Sequence, residues 1–210
     1  LRMLLDESYR TRPILDGLFN HTGLSMQPKQ FSRLSGLMLC LSGAAYIVDT
    51  GLDAFMPARS PGLGFLVPIF GLAGFPGLWL ALGVRTSLAY AAFVLNMLAL
   101  GGLVTVTFLN NRLFPDLAPE EVGAIVAHIK PELVLFGLAF LVAAVSLWWV
   151  CAKLASVYRI GAALYGLGAI PVSLPPLMPG WLVSIGGLCV GAGLLIFAST
   201  LLGSKVDDGF

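Results

Sequence analysis

The chain has 210 residues and a nearly balanced charge, with 12 Lys and Arg against 11 Asp and Glu. Charged residues make up 11% of it and hydrophobic residues 58%, whereas roughly a quarter of the residues of an average soluble domain are charged. This composition argues against a water-soluble fold. It also argues against a nucleic-acid partner, because twelve scattered cations form no clustered basic face.

Six apolar stretches follow one another along the chain. A helix needs about 20 apolar residues to cross a bilayer. Windows near that length without Lys or Arg cover residues 34–55, 62–82, 86–109, 133–152, 160–174 and 181–202. Because backbone groups in lipid must be hydrogen-bonded within their own segment, helices are expected. The sequence therefore predicts an all-α, polytopic bundle of six transmembrane helices over residues 31–203, followed by a cytoplasmic tail at 204–210.

Lys and Arg are divided unequally between the two sides of this bundle. Nine lie on the side of both termini, and three, Arg59, Arg112 and Lys130, lie on the other. Positive charge is enriched in the cytoplasmic loops of membrane proteins. We therefore expect a multi-pass protein with both ends in the cytoplasm.

The segment before the first span, residues 1–30, alternates apolar with charged side chains and contains a break at Pro13. This pattern is typical of an amphipathic segment that lies along the inner membrane face. Docking to a partner subunit is the alternative use. Both hypotheses place the segment in the cytoplasm.

The longest outer loop also contains an amphipathic run. Pro119 suits a first helical turn, and Pro131 is expected to stop the helix. Between them four apolar residues share one face: Val122, Ile125, Val126 and Ile129. The loop therefore predicts a short extracytoplasmic amphipathic helix at 119–130, either a lid over a cavity or a plain connection.

Four polar residues form the candidate site. Asp49 and Asp53 are four residues apart and share a helical face near the outer end of the first span. One interpretation is a buried pair that binds a cation, relays a proton or meets His128 or Lys130 of the outer loop. The other is two carboxylates in water beyond a span that ends near Ile47. Asn96, in the middle of the third span, is expected to bond a neighbouring helix, with ligand contact as the alternative.

Small residues mark the expected helix contacts, since helices in lipid associate by close packing. Gly187 and Gly191 form a Gly-xxx-Gly pattern in the sixth span, and Gly36 and Gly43 provide a smooth face in the first. These faces are expected to close the bundle on itself, and a homodimer contact is the alternative.

Several kinds of site are disfavoured. A b-type haem held by two imidazoles needs histidines within the spans, but His21 and His128 lie outside them. No span has the Glu-x-x-His pattern of a di-iron site, and motifs of hydrolases and nucleotide-binding proteins are missing from the sequence. The sequence therefore predicts no metal and no cofactor, allows bound lipid, and favours a protein that is not an enzyme.

Leu78, Trp79 and Leu80 lead into a one-arginine turn within the run from Phe70 through Gly83 and Arg85 to Asn110. This run resembles small uncharacterised six-span integral membrane proteins of bacteria. The resemblance covers most of residues 34–202 and depends on hydropathy and glycine spacing. It implies a bacterial inner membrane and the same number of helices.

Two functions remain open. The first is a non-catalytic membrane component, either an accessory subunit of a membrane complex or a binder of a small apolar ligand. The second is a small ion- or proton-coupled transporter that uses Asp49 and Asp53, with a fifth span interrupted by Pro171 as in several transporters.

Overall fold

The structure is a computed structural model that describes residues 28–55, 62–83 and 86–203. The chain divides into two compact units, Leu1–Phe31 and Ser32–Phe210. In the first unit only residues 28–31 are described, and they are helical. The predicted amphipathic segment therefore lies almost entirely outside the described residues, as does the predicted tail at 204–210.

Every regular element within the described ranges is helical, which confirms the predicted all-α class. The six long helices are α1 Pro28–Phe55, α2 Leu66–Leu82, α3 Ser87–Phe108, α4 Pro119–Cys151, α5 Ser156–Ser173 and α6 Gly180–Gly203. Short 3-10 turns lie at Leu63–Phe65, Phe114–Asp116 and Pro175–Leu177, and a π turn at Leu109–Leu113 extends α3.

Five of the six helices are long and apolar enough to cross a membrane. The exception is α5, which has 18 residues and carries Arg159 in its first turn. The prediction of membrane-spanning helices is confirmed at this level. A count of six spans stays a prediction.

The predicted short helix at 119–130 is wrong as a separate element. It is the beginning of α4, a single helix of 33 residues that contains Pro131. At 1.5 Å per residue this helix is about 50 Å long, well beyond the roughly 30 Å of a hydrocarbon core. The start at Pro119 is as expected, and there the N–H of Ala118 donates to the Glu121 carboxylate at 3.0 Å.

Local interactions explain why α2 ends and α3 begins where they do. Gly83 follows α2 with a φ of 63°, a left-handed conformation that glycine adopts without strain, and its N–H donates to the Leu80 carbonyl. Thr86 precedes α3, and its hydroxyl accepts from the N–H of Ala89 at 3.2 Å.

Glycines bring α6 against two other helices. On the α1 side, a Cβ added to Gly43 would lie 2.7 Å from the carbonyl oxygen of Gly191, and one added to Gly191 would lie 2.9 Å from that of Gly43. Nearby, Gly187 faces Thr50 and Gly36 faces Leu201. The four glycines predicted from the sequence thus lie where α1 and α6 meet, and the two helices run antiparallel.

The contact between α5 and α6 is equally close. A Cβ on Gly193 would lie 2.7 Å from the Gly161 carbonyl oxygen and 2.8 Å from the Tyr165 nitrogen. Farther along, a Cβ on Gly186 would lie 2.8 Å from the Gly168 carbonyl oxygen. These two helices are also antiparallel and touch backbone to backbone.

The centre of the bundle is aromatic. Tyr165 of α5 is 1% exposed, and its ring lies 5.6 Å from the rings of both Phe75 in α2 and Phe140 in α4. Tilted and edge-on rings at this separation stabilise one another beyond the area they bury. Three helices are therefore held together at one aromatic residue.

Candidate functional site

Asp49 is the only carboxylate buried within the described residues, with 7% of its surface exposed. It lies in the last two turns of α1, and its Oδ1 accepts a hydrogen bond of 2.7 Å from the backbone N–H of Leu63. The N–H of Gly64 also donates to the carboxylate. Asp49 therefore binds the start of the next helical segment, 14 residues further along the chain.

The local sequence explains why this helix start uses a distant side chain. Gly62 precedes the 3-10 turn with a φ of 60° and has no side chain that could accept from the exposed N–H groups. The first N–H groups of a helix have no partner within the helix and carry the positive end of its dipole. A buried carboxylate satisfies both the hydrogen bonds and the charge.

Asn111 brings a third segment to the same point. A Cβ added to Gly64 would lie 2.5 Å from Asp49 Oδ2 and 3.0 Å from Asn111 Nδ2. Glycine at this position is therefore needed for the two side chains to approach the backbone. The amide of Asn111 donates to the Thr107 carbonyl at 2.8 Å, which orients it within the π turn. We call Asp49, Gly62, Leu63, Gly64 and Asn111 the Asp49 junction.

A cation lies beside this junction. The guanidinium carbon of Arg112 is 4.8 Å from the centre of the Phe65 ring, a distance typical of a cation–π interaction. Phe65 ends the 3-10 turn that Asp49 binds, so two successive residues of the π turn, Asn111 and Arg112, contact the segment that begins α2.

Two other predicted members of this site are exposed. Asp53 is exposed, although it shares the α1 face with Asp49, and His128 is exposed on α4. The interpretation that both carboxylates lie in water without a partner is wrong for Asp49, because Asp49 is buried and accepts from the N–H of Leu63. This bond packs Asp49 against the start of α2.

Asn96 forms a separate polar contact at the centre of the bundle. Its Oδ1 accepts a hydrogen bond of 3.1 Å from the Tyr165 hydroxyl, and it is 2% exposed. The bond joins α3 to α5 across 69 residues of sequence, as expected for an amide that bonds a neighbouring helix.

We expect Tyr165→Phe to lower the melting temperature by about 3 °C. The change leaves the Asn96 oxygen without its buried donor at a cost of about 1 kcal/mol, and 1 kcal/mol corresponds to about 2–4 °C for a chain of this size. Thermal unfolding in detergent, followed by tryptophan fluorescence, measures the effect. The control is Tyr90→Phe, because Tyr90 is 65% exposed; equal melting of both variants would show that the bond contributes no stability.

Sequence reasoning missed most of the Asp49 junction and one further buried bond. Ser42 is 1% exposed, and its hydroxyl donates to the Val67 carbonyl at 2.7 Å, which ties α1 to α2. A usable signal was present in the Gly-Leu-Gly sequence at 62–64, because two glycines at a helix start indicate a close approach by another group.

These polar contacts have a common chemistry. Asp49, Asn96 and Ser42 each bond a group of a neighbouring segment of the protein. Within the described ranges, no three His, Cys, Asp or Glu side chains are grouped so that they could hold a metal ion. The arrangement joins helices.

No family model, no curated protein and no solved structure matches this chain.

Proposed function

We propose that this protein is a non-catalytic integral membrane protein that acts as an accessory subunit of a membrane complex. The observation that carries the proposal is that three buried polar side chains bond the bundle itself, whereas the buried hydroxyl of Ser173 has no hydrogen-bond partner. Asp49 binds the start of α2, Asn96 binds Tyr165, and Ser42 binds the Val67 carbonyl. Polar groups at membrane depth otherwise mark substrate and ion pathways.

A transporter built on Asp49 and Asp53 has less support. Ion coupling needs carboxylate oxygens that exchange partners during the cycle, whereas Asp49 accepts from two backbone N–H groups at a helix start. Asp53 is exposed and lies one turn further along α1. A role in joining helices accounts both for the burial of Asp49 and for the exposure of Asp53.

The proposed location is a bacterial inner membrane with both ends of the chain in the cytoplasm. Its support is the charge distribution along the antiparallel helices of the second unit. Arg33, Lys153 and Arg159 lie at the end that holds the start of α1 and the turn between α4 and α5. Two described cations, Arg112 and Lys130, lie at the opposite end. Positive charge is enriched on the cytoplasmic side.

Native mass spectrometry after gentle detergent extraction from the native membrane tests the proposal. We expect a second polypeptide to accompany the chain in a constant ratio. A small apolar molecule bound to a single chain would instead show that the protein is a non-catalytic ligand binder. A single chain with neither polypeptide nor ligand would contradict the proposal.

A further inference from the structure

We propose that the bundle end carrying Arg33, Lys153 and Arg159 binds the headgroups of anionic phospholipids, with its principal contact at the turn between α4 and α5. We call the surface formed by Trp148, Trp149, Lys153 and Arg159 the basic turn. This inference goes beyond the proposed function and needs only that the helices lie in a membrane.

The charges of the basic turn are unbalanced. Lys153 and Arg159 are both exposed, and no described carboxylate lies at their end of the bundle. Arg33, at the start of α1, is also exposed, and it adds a third positive charge at the same end. Within the described part of the chain, these exposed side chains face no carboxylate and can therefore bind an anionic headgroup.

Aromatic side chains place this surface at the boundary between lipid and water. Trp149 is 72% exposed and Trp148 is 37% exposed, and both lie in the last turn of α4. Tryptophan is enriched at the level of the headgroups, because its ring is largely apolar and its N–H is a hydrogen-bond donor. Lys153 and Arg159 lie four and ten residues beyond Trp149, and we expect them at about the depth of the lipid phosphates.

The turn itself is anchored. Cys151 is fully buried, and Leu154 packs against the hydrophobic core. The N–H of Leu154 also donates to the Cys151 carbonyl at 3.0 Å. Because Lys153 lies between these two anchored residues, its backbone is fixed and less freedom is lost when the side chain binds an anion.

The occupant is a phospholipid rather than a free anion, because apolar and basic groups are combined. Exposed apolar side chains continue from the turn along α4 and fit acyl chains: Val134, Leu135, Leu138, Val142 and Val145. A soluble phosphate would contact the cations alone. A lipid contacts both parts of this surface at once.

The test uses the purified full chain in neutral detergent with added phosphatidylglycerol or phosphatidylcholine, and measures bound lipid by native mass spectrometry. We expect phosphatidylglycerol to bind at least tenfold more tightly. One basic residue near an anionic surface raises affinity about fivefold, so the double variant Lys153→Gln with Arg159→Gln is expected to bind about 25-fold more weakly. The preference is also expected to weaken at high salt.

Two controls separate this effect from a general loss of charge or folding. Lys130→Gln removes one charge at the opposite end and is expected to bind phosphatidylglycerol as the wild type does, whereas Lys153→Gln alone is expected to bind it about fivefold more weakly. Lys153→Arg with Arg159→Lys keeps the charges and is expected to keep the affinity. Equal affinity for the two lipids, or an equal loss in Lys130→Gln and Lys153→Gln, would overturn the proposal, as would full competition by inorganic phosphate. Co-purifying polypeptides do not enter this readout, so it is independent of the test of the proposed function.

Discussion

Gly193→Ala is expected to lower the stability of the bundle by about 2–3 kcal/mol. The new methyl group would lie 2.7 Å from the Gly161 carbonyl oxygen and 2.8 Å from the Tyr165 nitrogen. Both are backbone atoms of α5, so neither can move by a simple side-chain rotation. The two helices must separate, and overpacking of this kind typically costs about 1–3 kcal/mol.

The melting temperature should therefore fall by about 4–12 °C in detergent. The matched control is Gly101→Ala, because Gly101 lies inside α3 and a Cβ there meets no atom within 4 Å. Alanine also favours helix more than glycine does, so this control is expected to be as stable as the wild type or slightly more so. Equal melting of the two variants would contradict the close contact between α5 and α6.

The separation of α5 from α6 has a second consequence. Tyr165 lies directly opposite Gly193, and its hydroxyl donates to Asn96 of α3. A shift of α5 therefore disturbs the bond that joins it to α3. We expect Gly193→Ala and Tyr165→Phe to be non-additive when combined, since residues in contact share part of their effect.

The helical class and most helix positions were predictable, because apolar length is read directly from the sequence. The error at α4 is instructive. The rule that proline ends a helix predicts a stop at Pro131, since proline lacks an N–H and disturbs the preceding turn. The apolar period nevertheless continues through it, from Ile129 to Leu133 and Phe136, on one helical face. The uninterrupted period was the better predictor.

The candidate site was predictable only in part. The spacing of Asp49 and Asp53 shows that they share a face, but it does not show how deeply each is buried. Burial of Asp49 depends on the start of α2, which follows a separate turn and contributes the N–H groups of Leu63 and Gly64. The sequence contains both partners, yet pairing them needs the three-dimensional path of the chain.

The same limit applies to Asn96. Its depth in α3 predicts a partner on another helix, because an unpaired amide in lipid is costly. Which helix supplies the partner depends on how the bundle is arranged, and Tyr165 lies two helices further along the chain. Glycine faces were easier to predict, since close contact requires small residues whatever the arrangement.

Asp49→Ala is expected to destabilise the protein by about 3 kcal/mol, which corresponds to a fall of about 6–12 °C in melting temperature. The substitution leaves the N–H groups of Leu63 and Gly64 without an acceptor at a buried helix start. It also removes the negative charge that opposes the positive end of the helix dipole. Asp49→Asn keeps an acceptor oxygen but loses the charge, so an intermediate loss is expected.

Asp53→Ala is the matched control, because it removes a carboxylate from the same face of α1 at an exposed position. We expect it to melt within about 1 °C of the wild type, since exposed substitutions usually change stability little.

Reconstitution in liposomes then distinguishes a structural role of Asp49 from a role in transport. If Asp49 only joins helices, the wild type gives no proton- or cation-dependent flux above protein-free liposomes. Flux that Asp49→Asn abolishes without any change in melting would show that the carboxylate serves transport, because a structural partner cannot be removed at no cost in stability.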